Sequence, residues 1–272
     1  MIKTRILLVI ASALVVILIF MLPKSVVENE NQLAAAGSSH TDGPNNKMPA
    51  NHQPASPGLT SAIAAARKAF NTSSDRKNAI FADSLQTLYA QAGKFDSAAW
   101  FGEKAATFFN RTPNFLKAGN SYYEAYTFAM DEQKRNELAE KTRHWLNKVI
   151  DAEPKNYEAK VKVAMTYLST GGPMQGIRLL REVLKEDPKN ELALFNMGML
   201  SVQSGQHAKA ISWLNQLIEV NPKHTQGQLL LGVAYMNAGQ NGKAREQFEK
   251  VKKMDKDPAV QSAVDSYLSE LK

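Results

Sequence analysis
Cysteine is missing from all 272 residues. That excludes disulfides, thiol catalysis, cysteine-ligated zinc and lipid attachment through cysteine. A charge stripe of one sign is missing too. The formal net charge is +7, yet bases and acids alternate, as in Lys134, Arg135, Glu137, Glu140, Lys141 and Arg143. Even the densest basic cluster, Lys250, Lys252, Lys253 and Lys256, is interleaved with Asp255 and Asp257. The pattern reads as a solvated face and not as a nucleic-acid surface. Signatures of chemistry are absent as well. Gly171-Gly172-Pro173-Met174-Gln175-Gly176 lacks the lysine of a nucleotide loop. No Gly-x-Ser-x-Gly elbow and no His-Glu-x-x-His pair occurs. His144 falls inside a helical pattern beside Trp145, His207 and His224 fall in turns, and His40 and His52 lack metal-ligand spacing. The chain reads as a non-enzyme with no metal and no cofactor.

What is present begins with an apolar run over 6–22, broken only by Ser12. As a helix it would be roughly 25 Å long, at the short end of a membrane span. Pro23 and Lys24 end it, and Lys3 and Arg5 precede it, which favours a cytoplasmic N-terminus. A cleaved signal peptide is the rival reading. It requires a pair of small residues just past the run. Leu22-Pro23-Lys24-Ser25-Val26-Val27 offers none there, and Ala34-Ala35-Ala36-Gly37 lies too far downstream. Residues 1–24 therefore read as a cytoplasmic start and an uncleaved inner-membrane anchor, with everything after Lys24 outside the cytoplasm. Residues 25–58 are rich in Asn, Ser, Pro and Gly without hydrophobic periodicity, the composition of a disordered, flexible linker.

From 59 to 272 the chain reads as helices separated by short Gly, Asn and Pro breaks, and it repeats itself. Pro154, Pro188 and Pro222 are 34 residues apart. Ala164, Gly198 and Gly232 keep that step, as do Gly176, Ala210 and Ala244, and Leu180, Leu214 and Phe248. Small residues at the first two sets allow two helices to approach, the larger residue of the last set fills the space between them, and proline stops the second helix.

This period with these residue types resembles the tetratricopeptide-repeat (TPR) family over 79–257. Clear repeats are 157–190, 191–224 and 225–257. Residues 79–110 fit as a degenerate repeat with Leu85, Tyr89 and Ala98 in place, but Gln86 replaces the small residue. Residues 112–154 fit as a second degenerate repeat lengthened by about eleven residues, or three helical turns. Residues 59–71 and 258–271 read as capping helices. The resemblance implies an all-α solenoid of helical hairpins, a right-handed superhelix whose concave face is lined by the first helix of each pair.

Carrying the family's positions onto this sequence, that face presents Val161, Met165 and Leu168, then Phe195, Met199 and Val202, then Leu229, Val233 and Met236. All nine are apolar. Neighbouring helices of a tight superhelix could cover them, or they could form a Met-containing groove for an amphipathic helix or unfolded segment. The Lys and Asn positions by which some family members clamp acidic chaperone tails are occupied here by Val161, Met165 and Leu230, with only Asn196 matching. The expectation is a membrane-anchored scaffold or chaperone-like adaptor of the bacterial envelope. It would bind partner or exported polypeptides, with no nucleic-acid role. The alternative is a structural subunit of a secretion or cytochrome c maturation complex that uses the convex surface.

Overall fold
Pro57, Pro113, Pro173 and Pro258 each stand in the first turn of a helix, where a missing backbone N–H leaves no hydrogen bond unmade. The computed structural model describes residues 56–72 and 74–271. These form twelve α-helices, with no strand among the described residues: α1 (Pro57–Thr72), α2 (Asp75–Gln91), α3 (Phe95–Phe109), α4 (Thr112–Phe128), α5 (Glu132–Ala152), α6 (Tyr157–Ser169), α7 (Pro173–Glu186), α8 (Glu191–Gln203), α9 (His207–Val220), α10 (Thr225–Asn237), α11 (Asn241–Met254) and α12 (Pro258–Glu270). The apolar run at 6–22, the linker up to 55, His40 and His52 lie outside the described residues. Among the described residues, no helix is long and apolar enough to cross a membrane. α1 starts at Pro57, inside the stretch whose composition reads as linker.

Consecutive helices pack as hairpins, α2 with α3, α4 with α5, α6 with α7, α8 with α9, and α10 with α11. α1 packs on α2 at one end and α12 on α11 at the other. This is the all-α helical-hairpin solenoid of TPR proteins. Four of the five hairpin turns contain a glycine with positive φ: Gly93 (67°), Gly171 (83°), Gly205 (70°) and Gly239 (71°). A side chain there would strain the backbone, so glycine fixes the turn at one place in these four repeats. The α4–α5 hairpin has no such glycine in its turn. Four of its eleven extra residues lengthen α4 and seven lengthen α5, taking the 13 and 14 residues of α8 and α9 as reference.

Within each hairpin a bulky side chain enters the space left by a small one. Leu180, Leu214 and Phe248 are fully buried. A Cβ added at Gly198 would come within 2.6 Å of Leu214, and one at Gly232 within 2.5 Å of Phe248. Leu146 fills the same role opposite Gly119. Between hairpins the core continues: Val161, Ala164, Leu180, Val183, Ala193 and Met197 form one cluster, and Leu194, Phe195, Ala210, Leu214, Leu217, Leu231 and Ala234 the next.

Candidate functional site
The nine apolar positions fall on α6, α8 and α10, the first helices of three successive hairpins, and α8 touches α6 on one side and α10 on the other. Their caps recur with the repeat. Asn156 accepts from the Ala159 N–H at 3.1 Å, Asn190 from the Ala193 N–H at 3.0 Å, and His224 Nδ1 from the Gly227 N–H at 3.0 Å. Each satisfies one of the donors that a helix start leaves open.

The structure separates the nine into two groups. Val161 is 1% exposed, Leu229 6% and Phe195 9%. Val161 packs among Ala164, Leu180 and Met197, and Phe195 among Leu194, Leu214 and Leu231, so these side chains belong to the interior. Met165, Leu168, Met199, Val202, Val233 and Met236 are half-buried. Met165 and Leu168 pack against the cluster around Val161, and Val202 against the one around Phe195, each keeping part of its surface free. Six apolar side chains on three neighbouring helices are thus partly available.

Toward the N-terminus the same register turns polar. Asn120 and Tyr123 of α4 follow Gly119 as Met165 and Leu168 follow Ala164. Lys162 of α6 donates to Asn120 at 2.8 Å and to Glu158 at 2.6 Å, and it lies over the Tyr123 ring. Lys117 pairs with Asp83 at 2.7 Å. These charges are matched within the chain, so this end of the face offers no free cationic clamp. Burial pushes the Glu124 carboxyl above its ordinary range, against the pull of Lys162. On the neighbouring helices burial also pushes Glu103 up, but bonds from Lys141 and Tyr122 outweigh it and hold the carboxyl low. The signal for this polar end was the Gly119 register, which continues the face through α4 once Gly119 is set beside Ala164.

His144 lies edge-on to Trp145 and His207 starts α9. His224 is half-buried, and its ring stacks on Phe195 with centroids 5.3 Å apart. A turn position in the sequence gives no hint of that contact. Among the described residues, no group of three or more His, Asp or Glu side chains is placed to hold a metal ion. The exposed large apolar residues are elsewhere: Trp100 (48%), Phe108 (47%), Phe128 (41%), Met130 (96%) and Met174 (72%) among them.

The family profile described as tetratricopeptide repeat matches residues 173–231 and 201–266. A search of curated proteins finds no match to the chain. Among solved structures, a tetratricopeptide repeat protein from Parabacteroides merdae is 18% identical, with 78% of this chain and 82% of that one covered and a TM-score of 0.59. PilW, described as a widely conserved type IV pilus biogenesis factor, is 16% identical over 71% of this chain and 90% of its own, with a TM-score of 0.53. MamA is 19% identical over 65% and 91%, with a TM-score of 0.50. At these identities the likeness is one of fold.

Proposed function
On the premise that this chain is a tetratricopeptide-repeat protein, we propose that it is a membrane-anchored adaptor. It holds a partner or exported polypeptide against the first helices of its last three full repeats. The observation that carries this reading is the set of six half-buried apolar residues, Met165, Leu168, Met199, Val202, Val233 and Met236, on three adjoining helices. An apolar stripe of this kind fits the apolar side of an amphipathic helix or an unfolded segment. Its three methionines are flexible and polarizable and can repack around varied sequences. The apolar run at 6–22 would anchor the chain in the inner membrane with its N-terminus in the cytoplasm, leaving the repeats in the periplasm. The reading requires no catalysis and no nucleic acid.

A second reading is favoured by Trp100 and Met174, which are 48% and 72% exposed on second helices α3 and α7. A structural subunit of a secretion or cytochrome c maturation complex would dock through such residues. One experiment separates the two. A photo-crosslinking residue is placed at Met199 or at Met174 of the full chain in living cells, and captured chains are identified after protease is added to spheroplasts. The adaptor reading expects capture from Met199 and protease cleavage of the repeats. Capture from Met174 with none from Met199 would replace it with the scaffold reading, and repeats that resist protease would place them on the cytoplasmic side.

A further inference from the structure
Three helix starts in this molecule do the same job with two chemistries. Asn156 and Asn190, one repeat apart, cap α6 and α8 through amide oxygens that accept at any pH. Each amide nitrogen also donates to an acid three residues earlier, Asn156 to Glu153 at 3.1 Å and Asn190 to Asp187 at 3.0 Å. One repeat further on, His224 replaces the asparagine and Asn221 replaces the acid. The cap now depends on a bare Nδ1 lone pair receiving the Gly227 N–H at 3.0 Å. A protonated imidazole has no such lone pair, because both ring nitrogens then carry hydrogen.

We propose that His224 makes the joint between α8 and α10 acid-sensitive, so that protonation opens the first turn of α10 while α6 and α8 stay capped. The joint is physical as well as electrostatic. The ring lies on Phe195 of α8, and Gly227 beneath it is enclosed by Leu217 and Ile218 of α9. Losing the cap would set Nδ1–H against the Gly227 N–H, two donors facing each other, and would loosen the stack that ties α10 to α8. The elements around the ring supply one facing charge. α9 contributes apolar Leu217 and Ile218, and α10 contributes Gly227. The turn contributes Asn221 and the exposed Lys223, and α8 contributes Glu191, which accepts from Asn221 at 2.7 Å. Burial holds the imidazole below its ordinary value, while its own carbonyl and Glu191 pull the other way.

The sign follows from that depression. In the unfolded chain a histidine titrates at about 6.5. With the folded value lower, the contribution of the cap is complete above that pH and is lost as pH falls through the folded value. The window therefore lies on the acid side of neutrality. Met199, Val202, Val233 and Met236 sit on the two helices this joint connects, so on the adaptor reading acid would loosen the apolar face at its C-terminal end. That consequence rests on the adaptor reading; the switch does not.

The test needs no partner. Amide hydrogen exchange is measured on the full chain from pH 7.5 to pH 5.0 and expressed as protection factors corrected for intrinsic exchange. The first turn of α10 loses about fivefold more protection than the first turn of α8, the size of effect that an N-cap confers. His224→Asn removes the difference, since asparagine already serves at the other two starts. Glu191→Gln, which removes the one facing charge, moves the transition to lower pH. Equal losses in α8 and α10, or a drop that survives in His224→Asn, would overturn the proposal.

Discussion
At the scale of single residues, the first repeat packs by the same rule as the others with its two halves exchanged. The regular repeats set Ala164, Gly198 and Gly232 against Leu180, Leu214 and Phe248. Counting the same positions from residue 79 gives Gln86 and Gly102, large first and small second. A Cβ added at Gly102 would come within 2.6 Å of Gln86 Nε2, so the glutamine fills the space that leucine or phenylalanine fills elsewhere. Gln86 is 5% exposed and donates to Ser121 at 2.9 Å, which satisfies the amide nitrogen that burial would otherwise penalise. Gly102→Leu alone should overpack this hairpin and cost about 1–3 kcal/mol. Combined with Gln86→Gly, it should recover most of that loss, and a double-mutant cycle in urea would show a coupling of about 1 kcal/mol or more. Additive costs would mean that the two positions do not share one space. Period alone marks Gln86 as a departure from the pattern. The compensation is legible only when Gly102 is read as its partner, because the constraint is on the summed volume of the pair and not on either residue.

At the scale of elements, the lengthened α4–α5 hairpin braces the next repeat. Tyr126, in the last turn of α4, donates to the Met165 carbonyl at 3.2 Å and bonds with Ser169, both on α6. Arg143 of α5 reaches Thr170 at 3.2 Å and lies over the Tyr167 ring, 4.6 Å from its centroid. The lengthened α5 starts at Asp131, whose carboxylate accepts from the Lys134 N–H at 2.7 Å. Asp131→Ala should therefore cost about 1 kcal/mol through the lost cap. Tyr126→Phe should cost a similar amount, about 0.5–1.5 kcal/mol, through its hydrogen bonds. Chemical denaturation would measure both. A Tyr126→Phe variant as stable as the parent would show that the brace contributes nothing. The existence of the extra turns follows from the sequence, where Tyr122 and Thr142 stand 20 residues apart and the corresponding Tyr167 and Gly176 only 9, but what they touch does not. The contacts run 39 and 43 residues along the chain, across a boundary that the 34-residue period does not describe. The apolar face shows the same divide. Its helices are legible from the repeat, whereas the burial of Val161, Phe195 and Leu229 is not. Helices α8 and α10 are apolar almost all round, so sequence alone does not say which side remains free.

At the scale of the whole molecule, a stack in which each hairpin touches chiefly its neighbours holds its stability in local shares plus the surfaces between them. The C-terminal share depends on α12. Val264 is fully buried there, Tyr267 stacks on Phe248 with centroids 5.0 Å apart, and Lys252 pairs with Asp265. Gln261 donates to the Lys252 carbonyl at 2.9 Å, one of the carbonyls that the end of α11 leaves without an intrahelical partner. Phe248 is the bulky residue facing Gly232, so uncovering it weakens the α10–α11 hairpin from inside. Removing 258–272 should therefore lower hydrogen-exchange protection most in α11, less in α10, and little in α2 to α5, which share no surface with it. A gradient fading away from the cut is what nearest-neighbour coupling requires. Uniform loss along the chain would instead make the stack one cooperative unit, and the acid sensitivity of His224 would then be felt at Asp83 as much as at Phe195.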